Sequence, residues 1–289
     1  MVCAVQDTRS IVVHGGAGQV AKDSVDARLV GCREAARRGW QILERGGSAL
    51  DAVTAAVMEL EDNPLFNAGT GAPLNAEGEI ELDASIMDGA HLKAGGVGAV
   101  KRIKNPIALA RRVLDDGQHV LLVGSGAVTF AREQGITECA ADELVTGKQA
   151  RKWSDKYGTV GCVACDGQAR LASATSTGGL FGKRPGRVGD SAIIGAGTFA
   201  DRHVAVSCTG IGESIMVAML AKVAAGESGS GLAPTAAAQH ALTHFESLTG
   251  SEAGLIVVDG SGRTGWAHNA AHMPVCAITS LSDAPQVAI

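Results

Sequence analysis

The stretch Gly158-Thr-Val-Gly-Cys-Val-Ala-Cys-Asp-Gly-Gln-Ala-Arg-Leu-Ala-Ser-Ala-Thr-Ser-Thr-Gly-Gly179 decides the fold of this chain. Two runs rich in small apolar and hydroxyl residues, 159–165 and 171–177, flank Asp166-Gly167-Gln168-Ala169. That pattern predicts an antiparallel hairpin with Thr159 as the first residue of its first strand. Just ahead, residues 140–157 carry Asp142, Glu143, Lys148, Arg151, Lys152, Asp155 and Lys156 without a sustained apolar period. They read as a linker or exposed connection. A cut between Gly158 and Thr159 would leave a threonine holding a hydroxyl nucleophile and an α-amine base in one residue.

Upstream, 11–13 is a buried-type strand that runs into the loop His14-Gly15-Gly16-Ala17-Gly18. A helix is expected over 28–45, closed by Gly46-Gly47, and a second over 49–61, capped by Ser48 and broken by Asn63-Pro64. The loop Leu65 to Gly71 then leads to strands at 72–74 and 80–87. Further strands are expected at 95–100 and 119–123, and helices at 106–114 and 127–134.

Downstream, Gly186-Arg187-Val188-Gly189-Asp190 is a loop before a strand at 192–194. A strand over 203–208 delivers Thr209-Gly210-Ile211-Gly212-Glu213 to a helix over 214–225. Glycines at such a turn expose backbone N–H groups and suit an anion or oxyanion. A helix over 234–248 and two strands, 255–258 and 265–269, close the chain. Hairpins in place of regular βαβ alternation point to an α+β fold of packed helical and antiparallel sheet layers.

Composition narrows the function. The chain has 289 residues, 46% hydrophobic and 19% charged, enough for a large core with little disorder. A net charge of -5 without a basic run gives nucleic acid no electrostatic footprint. No apolar run reaches the ~20 residues of a membrane span, so the expectation is a cytoplasmic protein acting on a small molecule or peptide. Seven scattered cysteines argue for reduced thiols, with Cys162 and Cys165 packing as small hydrophobes despite their CxxC spacing. His240 and His244 lie one helical turn apart, but no glutamate beside them completes a zinc motif. The His14 loop lacks the GxGxxG spacing of a dinucleotide binder.

Six segments in order resemble the plant-type asparaginases, or isoaspartyl peptidases, of the N-terminal-nucleophile hydrolases. They are His14-Gly-Gly-Ala-Gly18, Phe66-Asn-Ala-Gly69, Gly158-Thr-Val-Gly161, Ala174-Thr-Ser-Thr-Gly-Gly179, Gly186-Arg-Val-Gly-Asp-Ser191 and Ser207-Cys-Thr-Gly210. The resemblance spans nearly the whole chain. It implies a single domain, 1–289, built as a four-layer αββα sandwich and made as a precursor. Autocleavage between Gly158 and Thr159 would yield an α subunit, 1–158, with a flexible linker at 140–158, and a β subunit, 159–289. A dimer of these αβ heterodimers is expected.

The resemblance also assigns roles. Thr159 is the nucleophile, supported by Thr177 and Asn67; Thr209 and Gly210 form the oxyanion hole. Arg187, Asp190 and Gly212 bind the substrate, with Arg187 on the α-carboxylate and Asp190 on the α-ammonium. No catalytic cofactor is expected. The carbonyls of Leu60, Glu61, Asn63, Phe66, Ala68 and Thr70 are expected to hold a structural sodium ion. The chain departs from the family at Phe181-Gly182, before Lys183 and Arg184, near the expected leaving-group side. Cleavage of β-aspartyl dipeptides and asparagine is the leading expectation. A glycosylasparaginase-like hydrolase and a non-catalytic aspartate binder are the alternatives.

Overall fold

A computed structural model describes residues 7–19, 24–146, 158–282 and 284–289. Lys148, Arg151, Lys152, Asp155 and Lys156, which carry most of the expected linker's charge, lie outside the described residues. The elements run β1 (Ser10–His14), α1 (Val25–Glu44), α2 (Ala49–Asp62), β2 (Leu82–Asp88), β3 (Lys93–Val100), α3 (Pro106–Asp116), β4 (Leu121–Val123), α4 (Gly124–Glu133) and α5 (Ala141–Leu144). After Thr159 come β5 (Val160–Cys165), β6 (Leu171–Thr177), a 3-10 turn (Asp190–Ala192), β7 (Thr198–Ala200), β8 (Val204–Gly210), α6 (Gly212–Ala218) and α7 (Leu220–Gly229). The chain continues with α8 (Pro234–Thr249), β9 (Ala253–Asp259), β10 (Thr264–His268), β11 (Val275–Thr279) and β12 (Gln286–Ala288). The fold is α+β.

The strands form an eight-stranded sheet, in the order β12-β11-β1-β5-β6-β2-β3-β4, and a four-stranded sheet, β10-β9-β8-β7. The expected hairpin is its central pair: β5 and β6 run antiparallel, with Val160 opposite Ser176 and Cys165 opposite Leu171. Successive side chains of a strand point to opposite faces, and here both faces are buried. Ile11 and Val13 enter a core shared with α1, α2 and α3, whereas Val12 enters a second core shared with the small sheet, α7 and α8. Cys162 and Cys165 follow the same rule, one in each core, and both are free thiols. Their packing role is as expected.

Between the sheets lies a layer of buried hydroxyls. Ser85 donates to Thr198 at 2.8 Å, and Thr198 donates to Thr175 at 2.7 Å. Thr175 and Ser207 share a 2.8 Å bond, and Ser207 meets His14 Nε2 at 3.0 Å. Five strands from both sheets, β1, β2, β6, β7 and β8, are tied by this chain of groups.

Several expected elements are corrected. Residues 192–194 are no strand: Ile193 N–H bonds Asp190 O at 2.9 Å and closes a 3-10 turn. The helix expected over 214–225 breaks at Met219, which adopts φ 52 and ends α6 before α7 begins. No strand forms at 72–74. The chain does not end on β10, because β11 returns to pair with β1. The start of the expected linker is structured, with α5 burying Leu144.

Candidate active site

The ladder between β5 and β6 brings Thr159 beside the end of β6. Thr159 Oγ1 donates to Thr177 Oγ1 at 3.1 Å, and Gly179 N–H donates to the same Thr177 oxygen at 3.0 Å. Both threonines are buried. Asn67, on the loop after α2, binds both sides of this pair. Its backbone N–H donates to Gly158 O at 3.3 Å, and its Nδ2 donates to Gly179 O at 2.9 Å. Gly178 N–H in turn donates to Asn67 Oδ1 at 3.2 Å. Gly16, at φ +99, lies against the Gly158 backbone so closely that a Cβ there would stand 2.6 Å from Gly158 Cα.

One cleft is lined by Asn67, Gly158, Thr159, Thr177, Arg187, Asp190, Gly210 and Gly212, with Gly179 and Leu180 beside them. Asp190 is buried, and its Oδ2 has no hydrogen-bond partner among the described residues. Burial pushes its carboxyl up to about 7, against the opposing pull of the Arg187 charge. A buried acceptor without a partner costs free energy unless something fills it. Arg187 donates from Nε and Nη2 to the two oxygens of Glu213, each at 2.9 Å. Gly212 permits this crowding, since a Cβ on it would come 2.7 Å from Arg187 Nη2 and 2.8 Å from Asp190 Oδ1. Thr209, wholly buried at the end of β8, accepts the Ala17 N–H at 3.1 Å, which leaves its hydroxyl hydrogen to donate elsewhere.

His14 stands on β1, opposite Gly161 of β5. Gly16 N–H donates to its Nδ1 at 3.3 Å, so Nε2 carries the hydrogen that meets Ser207. Burial pushes the imidazole down to about 3, so it is neutral near pH 7.

The loop expected to hold a cation folds back on the end of α2. Asn63, Phe66 and Thr70 N–H groups bond the carbonyls of Leu60, Asn63 and Glu61 at 3.3, 3.1 and 2.8 Å. Those oxygens keep a second lone pair each, and an all-oxygen set fits a hard cation. Glu61 is wholly buried, and burial pushes its carboxyl up to about 8. Among the described residues, no group of His, Cys, Asp and Glu is arranged to hold a metal. His240 instead meets Glu227 at 3.1 Å on the surface.

The sequence reading missed Glu81, Asp83 and Glu213. Each bonds Arg187 or the loop that carries it, and a lone acidic residue, at a strand as Glu81 and Asp83 are or in the first turn of α6 as Glu213 is, carries no signal of its partner. No described helix is long and apolar enough to cross a membrane.

The family model described as asparaginase matches residues 7–157 and 148–289. The chain belongs to the asparaginase family. Among the asparaginase relatives, a Xenopus laevis protein named isoaspartyl peptidase/L-asparaginase is 45% identical over 266 residues, covering 87% of this chain and 86% of its own. A plant-type L-asparaginase of Pyrococcus furiosus is 43% identical over 290 residues, covering 91% of this chain and 94% of its own. Another, from Thermococcus kodakarensis, is 40% identical over 309 residues and covers 97% of this chain and 99% of its own.

Proposed function

We propose that this protein is an amidohydrolase that cleaves β-aspartyl dipeptides and asparagine through an acyl-enzyme on Thr159. The observation that carries the reading is the 3.1 Å bond between the Thr159 and Thr177 hydroxyls, in the same cleft as Arg187 and the unpartnered Asp190 oxygen. The names of the 40–45% identical relatives agree with it.

Maturation comes first. Thr159 Oγ attacks the Gly158 carbonyl, whose oxygen accepts the Asn67 N–H. The peptide bond shifts to an ester, and water hydrolyses it to a Gly158 carboxylate and a free Thr159 α-amine. That amine, with a pKa of ~8, then takes the hydroxyl proton as Thr159 Oγ attacks a substrate side-chain amide. The Thr209 hydroxyl and Gly210 N–H stabilise the oxyanion, each such donor contributing ~3 kcal/mol. The leaving amine departs with the proton, and water releases aspartate from the ester. Arg187 exchanges its fork from the Glu213 carboxylate to the substrate α-carboxylate, and Asp190 takes the α-ammonium.

The order of helices, large sheet, small sheet and helices in the packing supports the four-layer αββα sandwich of an N-terminal-nucleophile hydrolase. A sodium ion on the carbonyls of Leu60, Glu61, Asn63, Phe66, Ala68 and Thr70 would brace the loop carrying Asn67. The free cysteines support a cytoplasmic site of action, and the processed αβ unit pairs into a dimer of heterodimers.

Intact mass spectrometry tests the reading. The purified protein is expected to resolve into two chains, of residues 1–158 and 159–289. Thr159→Ala is expected to stay whole and inactive; a Thr159→Ala protein with full activity on β-aspartyl dipeptides would refute the mechanism.

A further inference from the structure

The loop that carries Arg187 and Asp190 is held from below by two carboxylates. Glu81 and Asp83 are two residues apart at the entry to β2, and both are buried. Gly186 N–H donates to the two oxygens of Glu81 at 3.2 and 3.0 Å. Gly189 N–H donates to Asp83 Oδ2 at 2.9 Å. Arg187 lies between these two anchored amides, and Asp190 follows the second.

The other Asp83 oxygen has a different task. The register of β2 with β3 shifts so that Leu82 faces Val100 while Ala84 faces Val97, which leaves Gly98 and Ala99 opposite Asp83 alone. Such a bulge removes an amide from the ladder, and Asp83 Oδ1 accepts the Ala99 N–H at 2.8 Å. The same bulge seats the loop by shape. A Cβ on Gly98 would stand 2.9 and 3.0 Å from the two γ-carbons of Val188. Lys183, at the start of the loop, donates to Glu81 O at 2.8 Å. Charge, shape and strand register therefore converge on residues 186–190 from β2 and β3, elements that carry none of the proposed reacting groups.

We propose that Glu81 and Asp83 are positioning residues that fix the spacing and orientation of Arg187 and Asp190, and so set the enzyme's affinity for the α-amino acid end of its substrate. This rests on the reading that Arg187 and Asp190 hold that end. Neither carboxylate lines the cleft. Asparagine at position 83 would have one acceptor oxygen for two amides, so one anchor is lost.

The test measures kcat and KM on a β-aspartyl dipeptide, aspartate binding by calorimetry, and the fragment pattern by mass. Asp83→Asn, Glu81→Gln and Gly98→Ala are each expected to raise KM and the aspartate Kd by about tenfold or more, the scale of one charged hydrogen bond. Their kcat stays within about threefold, and the same two fragments appear. Adding Val188→Ala to Gly98→Ala is expected to restore KM, a rescue that general damage to the fold does not predict. If Asp83→Asn fails to fold, the Gly98 and Val188 pair decides. A fall in kcat at unchanged KM, or no rescue by Val188→Ala, overturns the bracket. A wild-type protein that neither binds aspartate nor turns over overturns instead the functional reading beneath it.

Discussion

Asp190 is the residue whose chemistry is most exposed to test. Its carboxyl is buried, one oxygen has no partner among the described residues, and burial pushes its pKa from 3.8 to about 7. A group shifted upward in the folded state holds its proton longer there than in the unfolded chain. Its contribution to stability is therefore full below pH ~4 and falls as pH rises toward ~7. On the proposed reading binding has the opposite dependence, because a substrate ammonium at Asp190 needs the ionised carboxylate. In the free enzyme kcat/KM is expected to climb through pH ~7, whereas kcat at saturation lacks this limb because the bound ammonium keeps Asp190 ionised. Asp190→Asn separates the two effects. It is expected to lose aspartate binding, and to melt about 2 °C or more above the wild type at pH 8 with no such gain at pH 4. Parallel melts at the two pH values check this, and equal melting temperatures at pH 8 would mean that the buried carboxylate carries no strain.

At the scale of elements, the hydroxyl layer between the sheets explains why β5 begins with such small residues. Gly161 has no side chain because a Cβ there would overlap Ser207 Oγ and His14 Nε2. Ser207 accepts from His14 and donates to Thr175, and Thr175 passes its own hydrogen to Gly197 O at 3.1 Å. Removing one hydroxyl strands its neighbours in a buried setting, so Ser207→Ala is expected to cost ~2 kcal/mol. Urea unfolding in a Thr159→Ala background, where the chain is expected to stay whole, measures it. Much at this scale is legible in the sequence: the hairpin at Asp166 to Ala169, the glycine stop at Gly46-Gly47 and the proline break after α2 are local signals. Thr159, Thr177, Arg187 and Asp190 are legible as well, because the motifs that carry them stand in order. Thr175 and Ser207 read only as strand residues and Thr198 falls in no expected element, since a hydroxyl's partner across two sheets leaves no mark in its own segment. Asp83 is hidden for the same reason, and β11 because a five-residue run behind Pro274 shows too little periodicity. The apolar run Ala192 to Ile194 carries the pattern of a strand, but Ile193 N–H and Gly197 N–H both bond Asp190 O and curl the backbone, and these bonds leave no local signal.

At the scale of the whole molecule, the proposed cut falls where it cannot separate the pieces. Residues before Thr159 supply β1, β2, β3 and β4, and residues after it supply β5, β6, β11 and β12. In the large sheet these are interleaved: β1 lies between β11 and β5, and β2 lies between β6 and β3. The seams β1 with β11, β1 with β5 and β2 with β6 are all antiparallel ladders. The core beneath is shared too, with Ile11, Leu60 and Leu82 packed with Val160, Cys276 and Ile278. Charge screening acts on exposed ions and leaves such seams intact. The two fragments are therefore expected to co-elute in size-exclusion chromatography even at 1–2 M salt, and to part only in denaturant. The same interleaving makes the pieces interdependent for folding. Residues 159–289 made alone would lack the β1 strand between β5 and β11, which opens unpaired edges in the middle of the sheet. That fragment is expected to aggregate when expressed by itself; a soluble, cooperatively melting fragment would show that the small sheet with α7 and α8 forms a unit able to stand without the rest.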